Sequence, residues 1–497
     1  MKYFNFVRQI LFMASVRQLY SQSVVYGLST VVPRLLNYLL VPLHTTVLTN
    51  PEQYGVITEM YAYISFILIL LTFGLETGFF RFSSKFKNNE SVYSTIFYFL
   101  IFTSSLFFLI ISIFSFDISN FLGSFYKPIY ITTLAGVVSI DAVLALPFAK
   151  LRNENKPFLF SSLKILGVVI NVFCNILFYL IIPRNSLYTL FPNVDLLYFV
   201  FLSNLIQNIF VLILLLIFTK IPKLIFNPKL LKSILIYSLP LLIAGLSGTT
   251  NEAFDRIFIK YLYPIKDEAL YQLGIYGANV KLAVFLVLFI QMYRFAAEPF
   301  FFKLQNESNN KEIFAKSFKY FLIFCFFITI LITFNIPILK YFVGSNYRHN
   351  LYIVPILLIA NSLFGIYFNL SFWFKLSDKT LFGLKYVGIG AFTTIISNVI
   401  LIPLIGIFGA AVSRIISYTI MTLLCYIDGK RSGYISIDRN NLKIFLLFLL
   451  FIAFISTVLL IYSKLLFSLI FANLFLILFI FFFLKKENIK ILNLRKC

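Results

Sequence analysis

The sequence predicts an all-α integral membrane protein with about fourteen transmembrane helices. Hydrophobic residues make up 60% of the 497 residues and charged residues only 12%, against about 45–50% and about 25% in soluble domains. No polar stretch is long enough to form a soluble domain. Apolar runs that supply the roughly 20 residues needed to cross a bilayer centre near residues 36, 68, 103, 139, 170, 207, 247, 285, 325, 363, 391, 416, 452 and 474.

The basic residues alternate between the two sides of the predicted membrane. Of the 42 Lys and Arg residues, 28 fall in eight connecting segments and seven in the segments between them. Because loops rich in Lys and Arg stay in the cytoplasm, we expect a bacterial inner-membrane protein with both termini inside. The net charge of +23 then reports topology, and no pattern indicates a nucleic-acid partner. The basic segments are 1–20, 81–90, 150–157, 219–232, 299–317, 375–385, 427–443 and 485–497.

The chain repeats itself at an offset of 222 residues. Tyr-Gly, an apolar span of about 20 residues and then Glu-x-x-Phe-Phe-basic are written twice. An intramembrane Arg and an intramembrane Glu fall in the same register, which chance rarely produces. The matches are Arg34 with Arg256, Tyr54-Gly55 with Tyr276-Gly277, Glu76 with Glu298, Phe79-Phe80 with Phe301-Phe302, and Arg81 with Lys303.

Both copies start on the cytoplasmic side, so the repeat is parallel and predicts two six-helix lobes. Such repeats are a recurring plan of transporters, which bind substrate between the lobes and alternate access by rocking. We expect an amphipathic cytoplasmic segment over 1–20, helices 1–6 over 21–220 (the N-lobe) and helices 7–12 over 221–430 (the C-lobe). Residues 431–497 would add helices 13 and 14 and a basic tail.

Ionisable side chains inside apolar runs point to a cavity or to a partner, because each costs about 2.5–3.5 kcal/mol or more at the bilayer centre. Arg34 has no acidic residue three or four positions away. Lys281 lies in an apolar run, and its repeat counterpart Glu59 has the opposite sign. A cavity with unpaired positive charge suits an anionic cargo. The cations assigned to it are Arg34, Arg256, Lys281 and Arg414.

Other intramembrane charges are spaced so that they can neutralise each other. Arg294 and Glu298 are four positions apart and share one helix face, which predicts a structural ion pair. Glu76, near Arg81 at a cytoplasmic helix end, is interpreted in the same way.

The motif search predicts a protein that is not an enzyme and uses no cofactor. The sequence contains no nucleotide-binding loop, no nucleophile elbow and no metalloprotease motif. Its four cysteines and two histidines have no metal-ligand spacing, so no metal site is predicted.

The chain resembles the Wzx-type polysaccharide flippases of the multidrug/oligosaccharidyl-lipid/polysaccharide exporter superfamily. The resemblance covers nearly the whole chain and is strongest over 24–82 and 250–304. It rests on Asn37–Leu43 (NYLLVPL), Glu52–Gly55 (EQYG), Asp255-Arg256, Ile275–Gly277 (IYG), Arg294–Phe300 (RFAAEPF), Lys375–Lys379 (KLSDK) and Gly406–Ala410 (GIFGA).

The resemblance implies a flippase that moves polyprenyl-pyrophosphate-linked oligosaccharide to the outer leaflet for O-antigen, capsule or exopolysaccharide synthesis. The four cavity cations would contact the pyrophosphate or an acidic sugar. Glu59 and Asp255 would be sites for proton or sodium coupling. Membrane lipid, a polysaccharide polymerase and glycosyltransferases are the expected partners.

Three alternatives remain open at the level of sequence. A multidrug exporter of the same superfamily would need an anionic cavity, whereas the unpaired charges here are basic. A flippase for the peptidoglycan precursor has the same architecture and a cationic cavity. A membrane-bound polymerase or ligase would lack the repeat and carry a large outer loop.

Overall fold

A computed structural model describes residues 31–85, 89–190, 192, 194–303, 310–377 and 379–433. These residues form helices joined by short connections. In chain order the helices are α1 (Leu40–Val47), α2 (Pro51–Thr72), α3 (Leu75–Lys85), α4 (Asn89–Ile113), α5 (Ser115–Leu122), α6 (Pro128–Asn153), α7 (Pro157–Ile176), α8 (Arg184–Leu190), α9 (Tyr198–Thr219), α10 (Pro228–Leu262), α11 (Ala269–Lys303), α12 (Asn310–Phe334), α13 (Ile336–Leu339), α14 (Ile353–Leu370), α15 (Phe372–Leu376) and α16 (Leu381–Arg431).

The predicted all-α membrane fold is confirmed. Ten helices of the described part are long and apolar enough to cross a membrane. Residues 31–47, helical except for a break at Leu39, contain the first predicted centre, and α16 contains two. Twelve of the predicted centres therefore fall in helices. The segment 1–20 and the centres near 452 and 474 lie outside the described residues.

Asparagine and proline start the two helices that meet at the lobe boundary. The Asn50 side chain accepts a hydrogen bond from the Glu52 amide, and Pro51 occupies the first turn of α2. The Asn227 side chain likewise accepts a hydrogen bond from the Leu230 amide, and Pro228 occupies the first turn of α10. An Asn cap satisfies a free amide of the first turn, and proline loses nothing there because that turn has no partner for its missing N–H.

Helix α16 reverses direction at its middle. Its 51 residues are interrupted at Ile405 and Gly406, and Gly406 has φ +59°, a conformation that glycine adopts without steric cost. The two halves then pack side by side, so closely that a Cβ on Gly409 would run into the backbone at Leu401. The GIFGA run therefore makes a tight hairpin of the predicted helices 11 and 12.

The helices pack within each predicted lobe and also across the boundary between them. In the N-lobe α6 packs against α4 and α9, and in the C-lobe α16 packs against α10 and α14. Across the boundary α2 contacts both α10 and α11. We call the end of the bundle where α2 begins and α10 ends the outer end, after the charge prediction.

Candidate functional site

A polar cavity of about 230 Å³ lies between the lobes. The N-lobe wall comes from the helical segment 31–47, which we call the first helix, and from α2, α7 and α9. The C-lobe wall comes from α10 and α11. Arg256 and Lys281 both line it, and the lining contains no carboxylate. Volumes of ligand pockets run from about 300 Å³ upwards, so in this arrangement the cavity fits a headgroup and not a whole oligosaccharide.

Arg256 and Lys281 carry the positive charge of this cavity. Neither lies within ion-pair distance of a carboxylate of the described chain. Arg256 is in electrostatic contact with Lys281, and the two charges are of like sign. Two cations that repel each other in a confined space attract an anion that neutralises both.

The opposite wall is built from neutral hydrogen-bonding groups. Asn171 donates to Asn204 at 2.6 Å, Asn204 bonds Tyr61, and all three line the cavity. The ladder continues from Asn171 to Asn175 and then to His44, whose Nε2 lies 2.7 Å from the Asn175 Oδ1. None of these groups was predicted as part of a site, although Asn171, Asn175 and Asn204 within apolar runs were a signal.

Arg414, predicted as an unpaired cavity cation, is instead a paired cation of the C-lobe interior. Its Nε lies 2.8 Å from Asp255 Oδ2, with side chains 7% and 2% exposed. Its guanidinium also donates to the Glu252 carbonyl at 2.7 Å, and Tyr276 donates to the same carboxylate. A buried charge must find a partner, and Arg414 and Asp255, 159 positions apart, become neighbours only in the fold.

Glu59 lies at the outer end in a cluster that crosses the lobe boundary. Its side chain is 0% exposed and forms an ion pair of 3.1 Å with Lys260 of α10. Tyr63 donates to Glu59 at 2.7 Å, and Tyr126 donates to the other carboxylate oxygen. Burial raises the pKa of the Tyr126 hydroxyl far above its ordinary value, so this group stays protonated and acts as a donor.

Arg34 lies apart from the cavity described above, on the exposed surface of the first helix. It is in electrostatic contact with Glu252, which in turn interacts with Arg294. The Arg294 guanidinium lies over the Phe368 ring at 4.0 Å. These residues form a second group of charges between the first helix, α10 and α11, in which Arg34 and Arg294 share one carboxylate.

Of the two structural ion pairs predicted from the sequence, Arg294–Glu298 is present in the structure and Glu76–Arg81 is not. Glu298 lies 2.6 Å from Lys375 of α15 and 3.8 Å from Arg294, so the tighter contact joins two helices. Glu76 pairs with Arg152 of α6 at 2.5 Å. Arg81, expected beside Glu76, lies over the Tyr237 ring at 4.6 Å.

Replacing Glu76 by Gln is expected to change the stability of the protein by less than about 1 kcal/mol. The side chains of Glu76 and Arg152 are 43% and 46% exposed, and solvent-exposed ion pairs contribute about 0.2–1 kcal/mol. Thermal unfolding of the purified protein in detergent measures the effect. A loss of several kcal/mol would mean that this contact is buried in the membrane-bound protein.

Three glycines let the two lobes approach each other closely at the outer end. A Cβ on Gly274 of α11 would collide with the Pro51 carbonyl of α2, and one on Gly55 with the Leu270 carbonyl. A Cβ on Gly277 would collide with the Thr58 side chain. Gly55 and Gly277 are the repeated Tyr-Gly glycines, so the two copies of the motif face each other across this contact, which we call the glycine seam.

Comparison with known proteins decides the family. Residues 47–351 match the sequence profile of a family described as "Polysaccharide biosynthesis protein". The chain belongs to this family. The match covers more than half of the chain and includes α2, Arg256 and Lys281, and the resemblance to Wzx-type polysaccharide flippases is confirmed. No curated protein sequence matches the chain.

Solved structures share the fold of this polysaccharide biosynthesis protein at low sequence identity. A lipid II flippase MurJ in an inward closed conformation matches with a TM-score of 0.71 at 15% identity, over 93% of this chain and 99% of that chain. An inward-facing multidrug resistance MATE transporter matches with 0.64 at 13% identity, over 82% and 95%. A MOP superfamily transporter from Pyrococcus furiosus, described as having a binding pocket of reverse polarity, matches with a TM-score of 0.55 at 14% identity, over 84% of this chain and 95% of that chain.

Proposed function

We propose that the chain moves a polyprenyl-pyrophosphate-linked oligosaccharide from the cytoplasmic to the outer leaflet of the bacterial inner membrane for surface polysaccharide synthesis. The observation that carries the proposal is the pair of cations Arg256 and Lys281, neither of them in an ion pair within the described chain, in a cavity whose lining has no carboxylate. The family and the fold support a lipid-linked cargo. Both termini would lie in the cytoplasm, on the side of the glycosyltransferases that assemble the cargo, and the polymerase that consumes it would act on the outer side.

The charge balance around the cavity supports a pyrophosphate. Arg256 and Lys281 line the cavity as a pair of cations, whereas the neighbouring cations Lys260 and Arg414 are already paired with Glu59 and Asp255. The excess of two positive charges matches the two negative charges of a pyrophosphate that is esterified at both ends. An unpaired charge is very unfavourable in hydrocarbon, so this site removes most of the barrier to crossing.

The neutral wall supports the sugar half of the cargo. Sugars present hydroxyl and amide groups, which pair with neutral donors and acceptors. Asn171, Asn204 and Tyr61 offer these groups opposite the two cations. We infer that the pyrophosphate contacts the C-lobe wall, the adjoining sugar contacts the N-lobe wall, and the polyprenyl chain stays in lipid.

The test is export in a strain that lacks the gene. Wild type is expected to restore surface polysaccharide, while Arg256→Ala with Lys281→Ala leaves lipid-linked oligosaccharide on the cytoplasmic leaflet. Each charge-assisted contact contributes about 1.5–3 kcal/mol, so each single variant is expected to lower the export rate about tenfold or more. Arg431→Ala, at the exposed end of α16, is the matched control.

Two other outcomes would replace this proposal. Normal surface polysaccharide together with drug sensitivity of the deletion strain would indicate a multidrug exporter. Loss of viability with accumulation of peptidoglycan precursor inside the cell would indicate the precursor as the cargo.

A further inference from the structure

The Glu59–Lys260 ion pair crosses the lobe boundary at the outer end. Glu59 lies on α2 of the N-lobe and Lys260 on α10 of the C-lobe, and their 3.1 Å contact therefore ties the lobes together. A second tie runs beside it, since the Tyr63 and Tyr261 hydroxyls lie 3.0 Å apart across the same boundary. Opening of the outer end must break both.

The Lys260 ammonium has more hydrogen-bond donors than acceptors around it in this arrangement. It has three N–H donors, and Glu59 is the carboxylate that it contacts within the described chain. Besides Glu59 it meets aromatic rings, with Tyr126 at 4.1 Å and Tyr261 at 5.2 Å. The Glu59 carboxylate, in contrast, already accepts from Tyr63 and Tyr126. Glu59 can thus lose Lys260 and keep two donors, while Lys260 keeps free donors for another acceptor.

Lys260 follows the cavity residue Arg256 by about one helical turn of α10. Residues four apart share one helix face, so Lys260 lies on the face of Arg256, about 6 Å further along the axis towards the outer end. Arg256 lines the cavity. An anion that leaves Arg256 outwards meets Lys260 next.

We propose that Lys260 exchanges its counter-ion during transport, from Glu59 when the outer end is closed to the phosphate of the anionic substrate when it opens. The proposal rests on the proposed function and adds a second anion position to it. Substrate binding then weakens the contact that closes the outer end, and the same cation guides the headgroup outwards. Glu59 acts as a positioning residue that holds Lys260 until the substrate arrives.

A double-mutant comparison tests the anion position. Glu59→Gln keeps an acceptor for Tyr63 and Tyr126 but releases Lys260, so binding of a glycan-free polyprenyl pyrophosphate to the purified protein is expected to tighten by about fivefold to 150-fold. Glu59→Gln with Lys260→Met leaves no orphan charge and is expected to lose this gain. Equal affinity of the single and double variants would overturn the proposal.

A labelling experiment tests the closing role. In a variant with Cys174, Cys325, Cys425 and Cys497 replaced, Thr58→Cys places a thiol in the cavity beneath the outer contacts. Labelling of this Thr58→Cys protein from outside with a membrane-impermeant reagent is expected to rise when Glu59→Gln is added. It is also expected to rise without Glu59→Gln when the polyprenyl pyrophosphate is added. Unchanged labelling in both cases would overturn the proposal.

These outcomes separate the inference from the function on which it rests. If wild type binds the polyprenyl pyrophosphate and Arg256→Ala does not, the proposed function stands whatever Glu59→Gln does. If wild type does not bind this probe, the anionic cargo itself is refuted and the exchange at Lys260 falls with it.

Discussion

Replacement of Gly274 by Ala is expected to prevent closure of the outer end and to lower export about fivefold to 150-fold. A methyl group there would lie 2.7 Å from the Pro51 carbonyl carbon and closer still to its oxygen. The obstacle is backbone of α2, which cannot rotate away as a side chain can. Overpacking of this kind costs about 1–3 kcal/mol. A cost of that size lowers the population of the closed outer end about fivefold to 150-fold.

The matched control for this prediction is Gly248→Ala. Gly248 is also a helical glycine, in α10, but a Cβ on it meets nothing within 4 Å. It therefore tests the general effect of adding a methyl group to a helix. Export and labelling of Thr58→Cys from outside are the two measurements. We expect Gly274→Ala to raise labelling and Gly248→Ala to leave it unchanged.

Gly55→Ala supplies an independent test of the glycine seam. Its Cβ would strike the Leu270 carbonyl from the opposite helix, so the same increase in labelling is expected from the N-lobe side. Normal export and wild-type labelling in both Gly55→Ala and Gly274→Ala would show that the lobes do not approach this closely in the membrane.

The sequence was sufficient for the parts of the fold that depend on local pattern. Apolar runs of helix length predict the spans, because a bilayer offers the backbone no alternative hydrogen-bond partner. The repeated Tyr-Gly motif also proved informative beyond its use as a repeat. Gly55 and Gly277 are the residues that let α2 and α11 approach each other, a role that depends on the missing side chain alone.

Charge pairing was predicted less well, because it is decided by packing and not by spacing. Glu76 had Arg81 nearby in sequence, yet it pairs with Arg152, 76 positions away. Lys260, two residues before the end of α10, was not among the predicted site residues. Only the fold brings it to Glu59, and only the fold removes Arg414 from the cavity.

The second large effect is expected at the buried pair of Asp255 and Arg414. Asp255→Asn leaves the Arg414 guanidinium, 7% exposed, without a counter-charge. Loss of one partner of a buried ion pair costs about 3–5 kcal/mol, so thermal unfolding in detergent should shift strongly and export should fall with the amount of folded protein. This loss is several times larger than that expected for Glu76→Gln.

The combined variant Asp255→Asn with Arg414→Gln separates a structural role from ion coupling at Asp255. It removes both charges, so it is expected to be more stable than Asp255→Asn alone, with a coupling energy of about 0.5–3 kcal/mol in the double-mutant cycle. It is also expected to transport, because Arg414 already neutralises Asp255 at 2.8 Å and Tyr276 completes the site. A stable double variant that binds the lipid but does not export it would instead assign the coupling ion to Asp255, and the Arg414 contact would then be one that this ion must displace.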